Sequence, residues 1–436
     1  MDSIKEEKEE ENDAVKLYLQ IHYPKIEDKP YYKIDFDKNI LVLFDQVNRT
    51  HSEKDGIFEM DKIFTNENDN SYLYNEICSN AIKEALKGES FAFISYGNTI
   101  SDKLKILIGD VNYSYSKAEL RGMFPKLLEE LITTINNNKS YTENISINLS
   151  YFILYNDIIV DLSNFMGKNF DNFNEETFLK KAMELDKTID TIKNIKKVPT
   201  ENINDVLFFI NKIFLSLINL EEGSKNHLYT RAHFCSIIYI INNNGKIVST
   251  LTFILLNGSE IMSNGSNPEQ VMKRMNKDQT PKNNVLSSKT AVETQYTYNS
   301  IIYSLKNNAY INKLPESEPL DQNSTKIFDY TEKNKISKLT RILYDICFNP
   351  KKKNIKFRII GTILPNTGYY DNCKDTLMFL FNCRQAIAST AKKKIAKKEK
   401  TDNLAESNSN IRNRIMRNDT IFDLENKIKI KTGTIM

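Results

Sequence analysis

The stretch "SFAFISYGNTISDKLKILIGD" (Ser90–Asp110) contains a short apolar segment, a glycine and, six residues later, a lysine. SFAFISYG is typical of a short buried strand, so that Gly97 follows a predicted strand. A phosphate-binding loop in that setting reads G-x-x-x-x-G-K-[ST]. Gly97 and Lys103 have the required separation, but Asp102 occupies the second glycine position and Leu104 the hydroxyl position. The stretch is either a phosphate loop that has lost part of its chemistry or a chance glycine and lysine in a loop.

The composition limits the classes of protein to which the chain can belong. Its 436 residues, 40% of them hydrophobic, are enough for a large core. Length alone predicts about three domains or one large α/β domain. The formal net charge is +3, from 60 basic and 57 acidic residues, so bulk charge gives no reason to expect nucleic-acid or membrane binding.

The sequence indicates neither a metal site nor a secreted protein. The five cysteines form no C-x-x-C pair, and the four histidines have no zinc-ligand spacing relative to them. No apolar run is long enough to span a bilayer, and the charged N-terminus lacks the pattern of a signal peptide. We therefore expect a cytoplasmic protein with free thiols.

Hydrophobic periodicity predicts strands that alternate with helices. Strands are predicted at 14–24, 90–97, 145–162 and 354–365, helices at 68–89, 124–138, 201–220, 335–348 and 370–389, and a β-hairpin at 233–258. This alternation is typical of an α/β layer structure with a mostly parallel central sheet.

Charge and composition divide the chain into three parts. Residues 1–14 are an acidic arm that we expect to be disordered, residues 15–388 a structured domain, and residues 389–436 a basic, partly disordered extension. Within the domain, residues 261–297 are rich in Asn, Ser and Lys, which predicts a long polar loop.

Six segments, in chain order, resemble the kinesin motor domain. They are ISYGNTISDK (94–103) at the family's phosphate loop, LSYFILYNDIIVDL (149–162), NHLYTRAH (226–233) and LLNGSE (255–260) at its two switches, SKLTRILYD (337–345), and ILPNTGYYDNCKDTLMFLFNCR (363–384). The resemblance extends from Val15 to Ile387. It implies the family's P-loop NTPase fold, a mostly parallel central sheet sandwiched by helices.

The resemblance also implies residues that would bind ATP and magnesium. If nucleotide binding is retained, the contacts would come from Gly97, Asn98, Thr99, Ser101, Lys103, Thr230 and Gly258. Arg231 and Glu260 correspond to the pair that bridges the switches during hydrolysis in the family. The alternatives are a structural ion pair for Arg231 and Glu260, and a solvated loop charge for Lys103.

Three departures from the family fall on the chemistry of this site. Leu104 replaces the hydroxyl of the phosphate loop and Leu255 the aspartate that opens the second switch, so two positions that organise magnesium carry no oxygen ligand. Asp102 replaces a glycine, and a carboxylate about 4 Å from a phosphate oxygen repels it by roughly 4 kcal/mol at an effective dielectric constant of about 20. We therefore expect no protein ligand for a metal and a phosphate loop whose chemistry is largely removed.

The segment around SKLTR resembles the part of kinesins that lies against the microtubule. It is basic here, with Lys335, Lys338 and Arg341, and the microtubule surface is acidic, which implies a salt-sensitive attraction to tubulin. The alternative is a solvated helix start.

Three functions remain open. The lost ligands together with SKLTR favour a kinesin-like microtubule-binding protein of the cytoplasmic cytoskeleton, non-catalytic or weakly nucleotide-dependent, as the partner of an active motor subunit. The second is an active ATP-driven microtubule motor in which Asp110 or Thr230 supplies magnesium ligation. The third is an interaction scaffold that uses only the fold.

Overall fold

The structure, a computed structural model, describes residues 13–22, 32–44, 56–65, 68–97, 101, 103–110, 117–137, 145–155, 158–165, 194–200, 202–208, 210, 232–256, 355–365, 370 and 372–385. The chain divides into two units, Met1–Gln385 and Ala386–Met436, and all described residues belong to the first. The predicted polar loop at 261–297, the helix at 335–348 and the basic extension lie outside the described residues. The proposed domain boundaries therefore stay predictions.

Most described strands form one large sheet. The strands are β1 (Val15–Ile21), β2 (Tyr32–Asp35), β3 (Ile40–Leu43), β4 (Ile57–Glu59), β5 (Lys62–Thr65), β6 (Ser90–Gly97), β7 (Ile145–Tyr155), β8 (Ile158–Asp161), β9 (Val198–Pro199), β10 (His233–Asn242), β11 (Ile247–Leu255) and β12 (Ile355–Ile363). The large sheet has the order β5-β1-β12-β6-β11-β10-β7-β8, with β9 also paired to β7. In the part of the chain that the structure describes, β2, β3 and β4 form a separate sheet.

The large sheet has a parallel part and an antiparallel part. From β5 through β1, β12 and β6 to β11, every neighbouring pair is parallel. The strands β10, β7, β8 and β9 continue the sheet with antiparallel pairs. The predicted α/β class with a central, mostly parallel sheet is confirmed, and the antiparallel part contains the predicted hairpin at β10–β11.

Helices cover both faces of the sheet. They are α1 (Asn70–Cys78), α2 (Ala81–Leu86), α3 (Lys103–Leu107), α4 (Met123–Asn137), α5 (203–208) and α6 (372–385). The helices α1 to α4 share one hydrophobic core with the sheet, in which Phe93 and Phe253 stack with ring centroids 4.7 Å apart. On β6, Tyr96 points to the opposite face from Phe93 and contacts Phe379 of α6.

The predicted helix at 68–89 is two helices in the structure. Asp69 caps α1 by accepting a hydrogen bond from the backbone N–H of Tyr72. Ser79 and Asn80 separate α1 from α2, and both residue types have low helix propensity because their side chains compete for backbone hydrogen bonds. The predicted C-terminal end is confirmed, since Gly88 follows with a φ of 108°.

The structure describes four of the five cysteines. Cys78, Cys235, Cys373 and Cys383 are buried, and none of these four is in a disulfide bond. Among the helices of the described ranges, none is long and apolar enough to cross a membrane.

Candidate functional site

The described residues of the predicted phosphate loop, Gly97, Ser101 and Lys103, lie near the edge where three parallel strands end side by side. Gly97 is the last residue of β6 and is in register with Thr362 of β12, and Ser95 is in register with Leu255 of β11. Lys103 begins α3 directly after the loop. Ligands of open α/β sheets bind at this carboxyl edge of the strands. The strand predicted before the loop is confirmed as β6.

Close packing between β6 and β12 requires a glycine at position 97. Its φ is 153°, and a Cβ at this position would overlap both the carbonyl oxygen and the hydroxyl group of Thr362. Any other residue would therefore push β6 and β12 apart. The glycine is required by close packing of the chain against itself, whether or not a phosphate is present.

The Lys103 side chain is directed into the protein. It is only 5% exposed, and its Nζ donates a hydrogen bond to the carbonyl oxygen of Gly97 at 3.0 Å. The prediction of a solvated loop charge is therefore wrong. An ammonium group has three donors, so this hydrogen bond uses one of them.

Ser101, near the end of the predicted loop, contacts β12 through its side chain. Its Oγ lies 2.6 Å from Oγ1 of Thr362, and both side chains are fully buried. The Thr362 hydroxyl also lies 3.4 Å from the carbonyl oxygen of Tyr96. The sequence did not predict a role for Thr362, because nothing in the phosphate-loop motif indicates a hydrogen-bond partner 261 residues away.

The two leucines at the predicted magnesium positions belong to the hydrophobic core. Leu255 is 4% exposed and lies in the core shared by α1 to α4. Leu104 is partly buried and packs against the same core. Neither side chain has an atom that could bind a metal ion. Among the described residues, no group of three or more His, Cys, Asp or Glu side chains could hold one either.

His233 is a residue of this region that the sequence analysis did not select. It is the last residue of NHLYTRAH and the first of β10, and it is buried. Burial, together with the nearby charge of Lys103, lowers the pKa of His233 to about 3. Its imidazole is thus neutral at physiological pH, and the end of the first switch motif lies close to the phosphate-loop lysine.

The motif LSYFILYNDIIVDL contributes structure to the region. The buried Asp161 carboxylate accepts hydrogen bonds from the backbone N–H groups of Ser163 at 3.0 Å and Lys196 at 2.8 Å. Ser150 donates to the carbonyl oxygen of Lys196 at 2.9 Å. Both residues hold the segment 194–200 against β7 and β8, which explains their role without a ligand.

The remaining predicted site residues lie outside the part of the chain that the structure describes. They are Asn98, Thr99, Asp102, Thr230, Arg231, Gly258, Glu260, Lys335, Lys338 and Arg341. The structure thus brings together Gly97, Ser101 and Lys103, with Leu104 and Leu255 beside them. The roles predicted for the others stay predictions.

Comparisons with known proteins agree with this geometry. The sequence profile of the kinesin motor domain matches residues 5–386. Kinesin-like protein KIN-14A of Arabidopsis thaliana is 24% identical over 249 residues, which is 56% of this chain and 18% of that protein. This chain therefore spans less than a fifth of that relative's length.

Solved kinesin structures have the same fold. One is Drosophila NOD, docked with bovine tubulin into a map of nucleotide-free NOD complexed to the microtubule, with a TM-score of 0.55, 13% identity and coverage of 86% of this chain and 98% of that one. Another is the C-terminal motor and motor homology domain of Kar3Vik1, with a TM-score of 0.55, 18% identity and coverage of 87% and 88%. Since the family profile covers most of the sequence, the chain belongs to the kinesin motor domain family.

Proposed function

We propose that this protein is a kinesin-like microtubule-binding protein whose binding is uncoupled from the nucleotide site or depends on it only weakly. The proposal rests on the packing of Leu104 and Leu255. Both positions would have to offer oxygen atoms to a magnesium ion, and both instead contribute leucine side chains to the hydrophobic core. The absence of a side-chain oxygen at both of these positions supports a site that does not hold a magnesium–nucleotide complex.

A leucine at position 255 stabilises the fold more than an aspartate would. Burying a leucine side chain contributes about 1.5–3 kcal/mol to folding, whereas a buried carboxylate without its metal ion would destabilise the fold. Asp102 would add repulsion against any phosphate. The chain thus gains stability at the positions where an active kinesin would keep its magnesium ligands.

The proposed partner is the microtubule. The family, the solved NOD complex and the basic residues Lys335, Lys338 and Arg341 support it, since the segment that carries them resembles the family's microtubule-facing segment. We expect the protein to be associated with the cytoskeleton in the cytoplasm. Partnership with an active motor subunit is part of the proposal, and the likeness to the Kar3Vik1 motor homology domain is compatible with it.

The second candidate is an active ATP-driven microtubule motor. It is kept open by Lys103, Arg231 and Glu260, which match the family's motifs in the sequence. In that case Asp110 or Thr230 would have to supply magnesium ligation. Microtubule-stimulated ATP hydrolysis by the purified chain, abolished in Lys103→Ala, would establish this function.

Co-sedimentation with microtubules tests the proposal. We would measure the affinity of the full chain without nucleotide, with Mg-ADP and with a non-hydrolysable ATP analogue, and we expect the same value in all three. Lys338→Glu should weaken binding and reduce its salt dependence, whereas Lys246→Glu, an exposed charge in the β10–β11 turn, should have no effect. An affinity that changes between nucleotides would contradict the proposal.

A further inference from the structure

β5 is the last strand at one end of the large sheet. Within the described residues, it pairs with β1 and with no other strand. A strand in this position presents backbone N–H and C=O groups on its outer edge, and such an edge can pair with a strand of another molecule. β5 contains Ile63 and Phe64, two residue types that favour strand pairing. Its composition is therefore that of an edge that could associate.

Two asparagine side chains occupy the outward donors of β5. The backbone N–H of Ile63 donates a hydrogen bond to Oδ1 of Asn39 at 3.1 Å. The backbone N–H of Thr65 donates one to Oδ1 of Asn68 at 2.9 Å. Ile63 and Thr65 are two residues apart in a strand, so their N–H groups point to the same edge. Since both groups bond to these side chains and not to β1, this is the outer edge.

Asn39 has a backbone conformation that few residue types adopt. Its φ is 52°, and in the described part of the chain it is the only residue other than glycine with a positive φ. This left-handed conformation is unfavourable for most residues with a Cβ, but asparagine tolerates it. Asn39 makes a second bond to the same segment, since its carbonyl oxygen accepts from the N–H of Met60 at 2.9 Å. The end of the β2–β3 turn is thus held against the start of β5.

We propose that Asn39, with Asn68, closes the outer edge of β5 against the addition of a further strand, and that the strand so excluded is β5 of a second copy of this chain. Two copies of one strand can pair antiparallel about a twofold axis, because each offers the other the same donors and acceptors. A donor that is already bonded to a side chain of its own molecule must be released before it can pair. The inference does not depend on the nucleotide site or on microtubule binding.

Two substitutions at position 39 separate the acceptor from the backbone conformation. Asn39→Gly keeps the left-handed conformation accessible and removes Oδ1. Asn39→Asp keeps an Oδ1 acceptor in a residue that also tolerates a positive φ. Asn244→Gly is the control for an added glycine, because Asn244 is exposed in the turn between β10 and β11.

The experiment measures two properties of the full chain over a range of protein concentrations. They are self-association, by sedimentation velocity, and hydrogen exchange of the Ile63 amide, by mass spectrometry with fragmentation. At low concentration, Asn39→Gly should increase the exchange rate of this amide at least about tenfold. It should also self-associate at least about tenfold more tightly than the unchanged chain.

The concentration dependence identifies the edge that associates. In Asn39→Gly, the Ile63 amide should become protected again as the concentration rises, because an added strand supplies a new acceptor. Asn39→Asp and Asn244→Gly should behave like the unchanged chain in both measurements.

Two results would overturn the inference. One is an Asn39→Gly protein whose self-association equals that of Asn39→Asp. The other is tighter self-association of Asn39→Gly while its Ile63 amide exchanges equally fast at all concentrations, which would place the new contact elsewhere. If Asn39→Gly does not fold, Asn68→Ala removes the bond to the other outward donor, that of Thr65. This variant should then self-associate more tightly, and the inference would be wrong if it did not.

Discussion

The two ends of the parallel strands are held by different kinds of described contact. At the carboxyl edge these include two hydrogen bonds, from Lys103 Nζ to the carbonyl oxygen of Gly97 and between the hydroxyl groups of Ser101 and Thr362. At the opposite edge, Arg358 of β12, at 6% side-chain exposure, pairs with the carboxylate of Asp13 at 2.9 Å. Lys356 joins the same carboxylate at 2.8 Å.

Ion pairs connect the elements that meet at the amino edge. Lys356 Nζ also pairs with the carboxylate of Glu84 of α2, at 2.7 Å. At the carboxyl edge, Leu255 lies in the hydrophobic core and Leu104 packs against it. Substitutions at the two edges should therefore differ in size and in pH dependence.

The largest effect is expected from restoring an acidic residue at the second switch. Leu255→Asp would place a carboxylate in register with Phe234 and Ser95, inside the core. We expect a loss of more than about 3 kcal/mol in the free energy of unfolding, measured with denaturant, and no gain of Mg-ATP binding. Leu255→Met, which preserves the volume, should cost less than about 1.5 kcal/mol. A stable Leu255→Asp protein that binds Mg-ATP would show that the site is only one substitution away from function.

A smaller effect is expected at the glycine that β12 approaches. Gly97→Ala combines an unfavourable φ with overlap against Thr362, so we expect a loss of about 2–4 kcal/mol. Gly88→Ala is the control, because φ is 108° there but no atom lies within 4 Å of the added Cβ. It should lose about 1 kcal/mol by the same denaturant measurement. Equal losses in both variants would mean that backbone conformation, and not contact with β12, makes Gly97 necessary.

Local patterns in the sequence predicted the elements that meet at this edge. The apolar run before Gly97 predicted β6, and the two apolar runs around Asn-Asn-Asn-Gly predicted the hairpin β10–β11. In each case, the residues that decide the element are close together in the chain. The departures at Leu104 and Leu255 could also be read from the sequence, because the surrounding motifs fixed their alignment.

The contact between Ser101 and β12 could not be predicted in that way. Ser101 and Thr362 are 261 residues apart, and a serine in a loop gives no signal of burial. Lys103 was expected to be either a phosphate contact or a solvated charge, because a sequence does not show which side chains a fold encloses. The break between α1 and α2 was missed because their apolar spacing continues across Ser79 and Asn80.

At the amino edge, Asp13→Asn should have a moderate and pH-dependent effect. Burial alone would raise the pKa of Asp13, but hydrogen bonds from Lys16 and Lys356 and the charge of Arg358 outweigh it and lower the pKa to about 2. The carboxylate therefore stabilises the fold above its unfolded pKa near 4, and this contribution is lost as the pH falls towards 2.

Measuring the free energy of unfolding at several pH values tests this prediction. We expect Asp13→Asn to lose about 1–2 kcal/mol at pH 7, a value already reduced because water reaches part of the side chain. The difference from the unchanged protein should shrink between about pH 4 and pH 2. A difference that stays constant over this range would mean that the charge of Asp13 contributes nothing and that only its shape matters.

The smallest effect is expected from Lys16, the most exposed cation that pairs with Asp13. Its Nζ lies 2.8 Å from the Asp13 carboxylate, but its side chain is 37% exposed. Lys16→Met should therefore lose less than about 1 kcal/mol, because water and salt screen an exposed pair. Arg358→Met removes a cation from the same carboxylate at a buried position and should lose more. If the two variants lost equal stability, burial would not be what distinguishes the ion pairs of this edge.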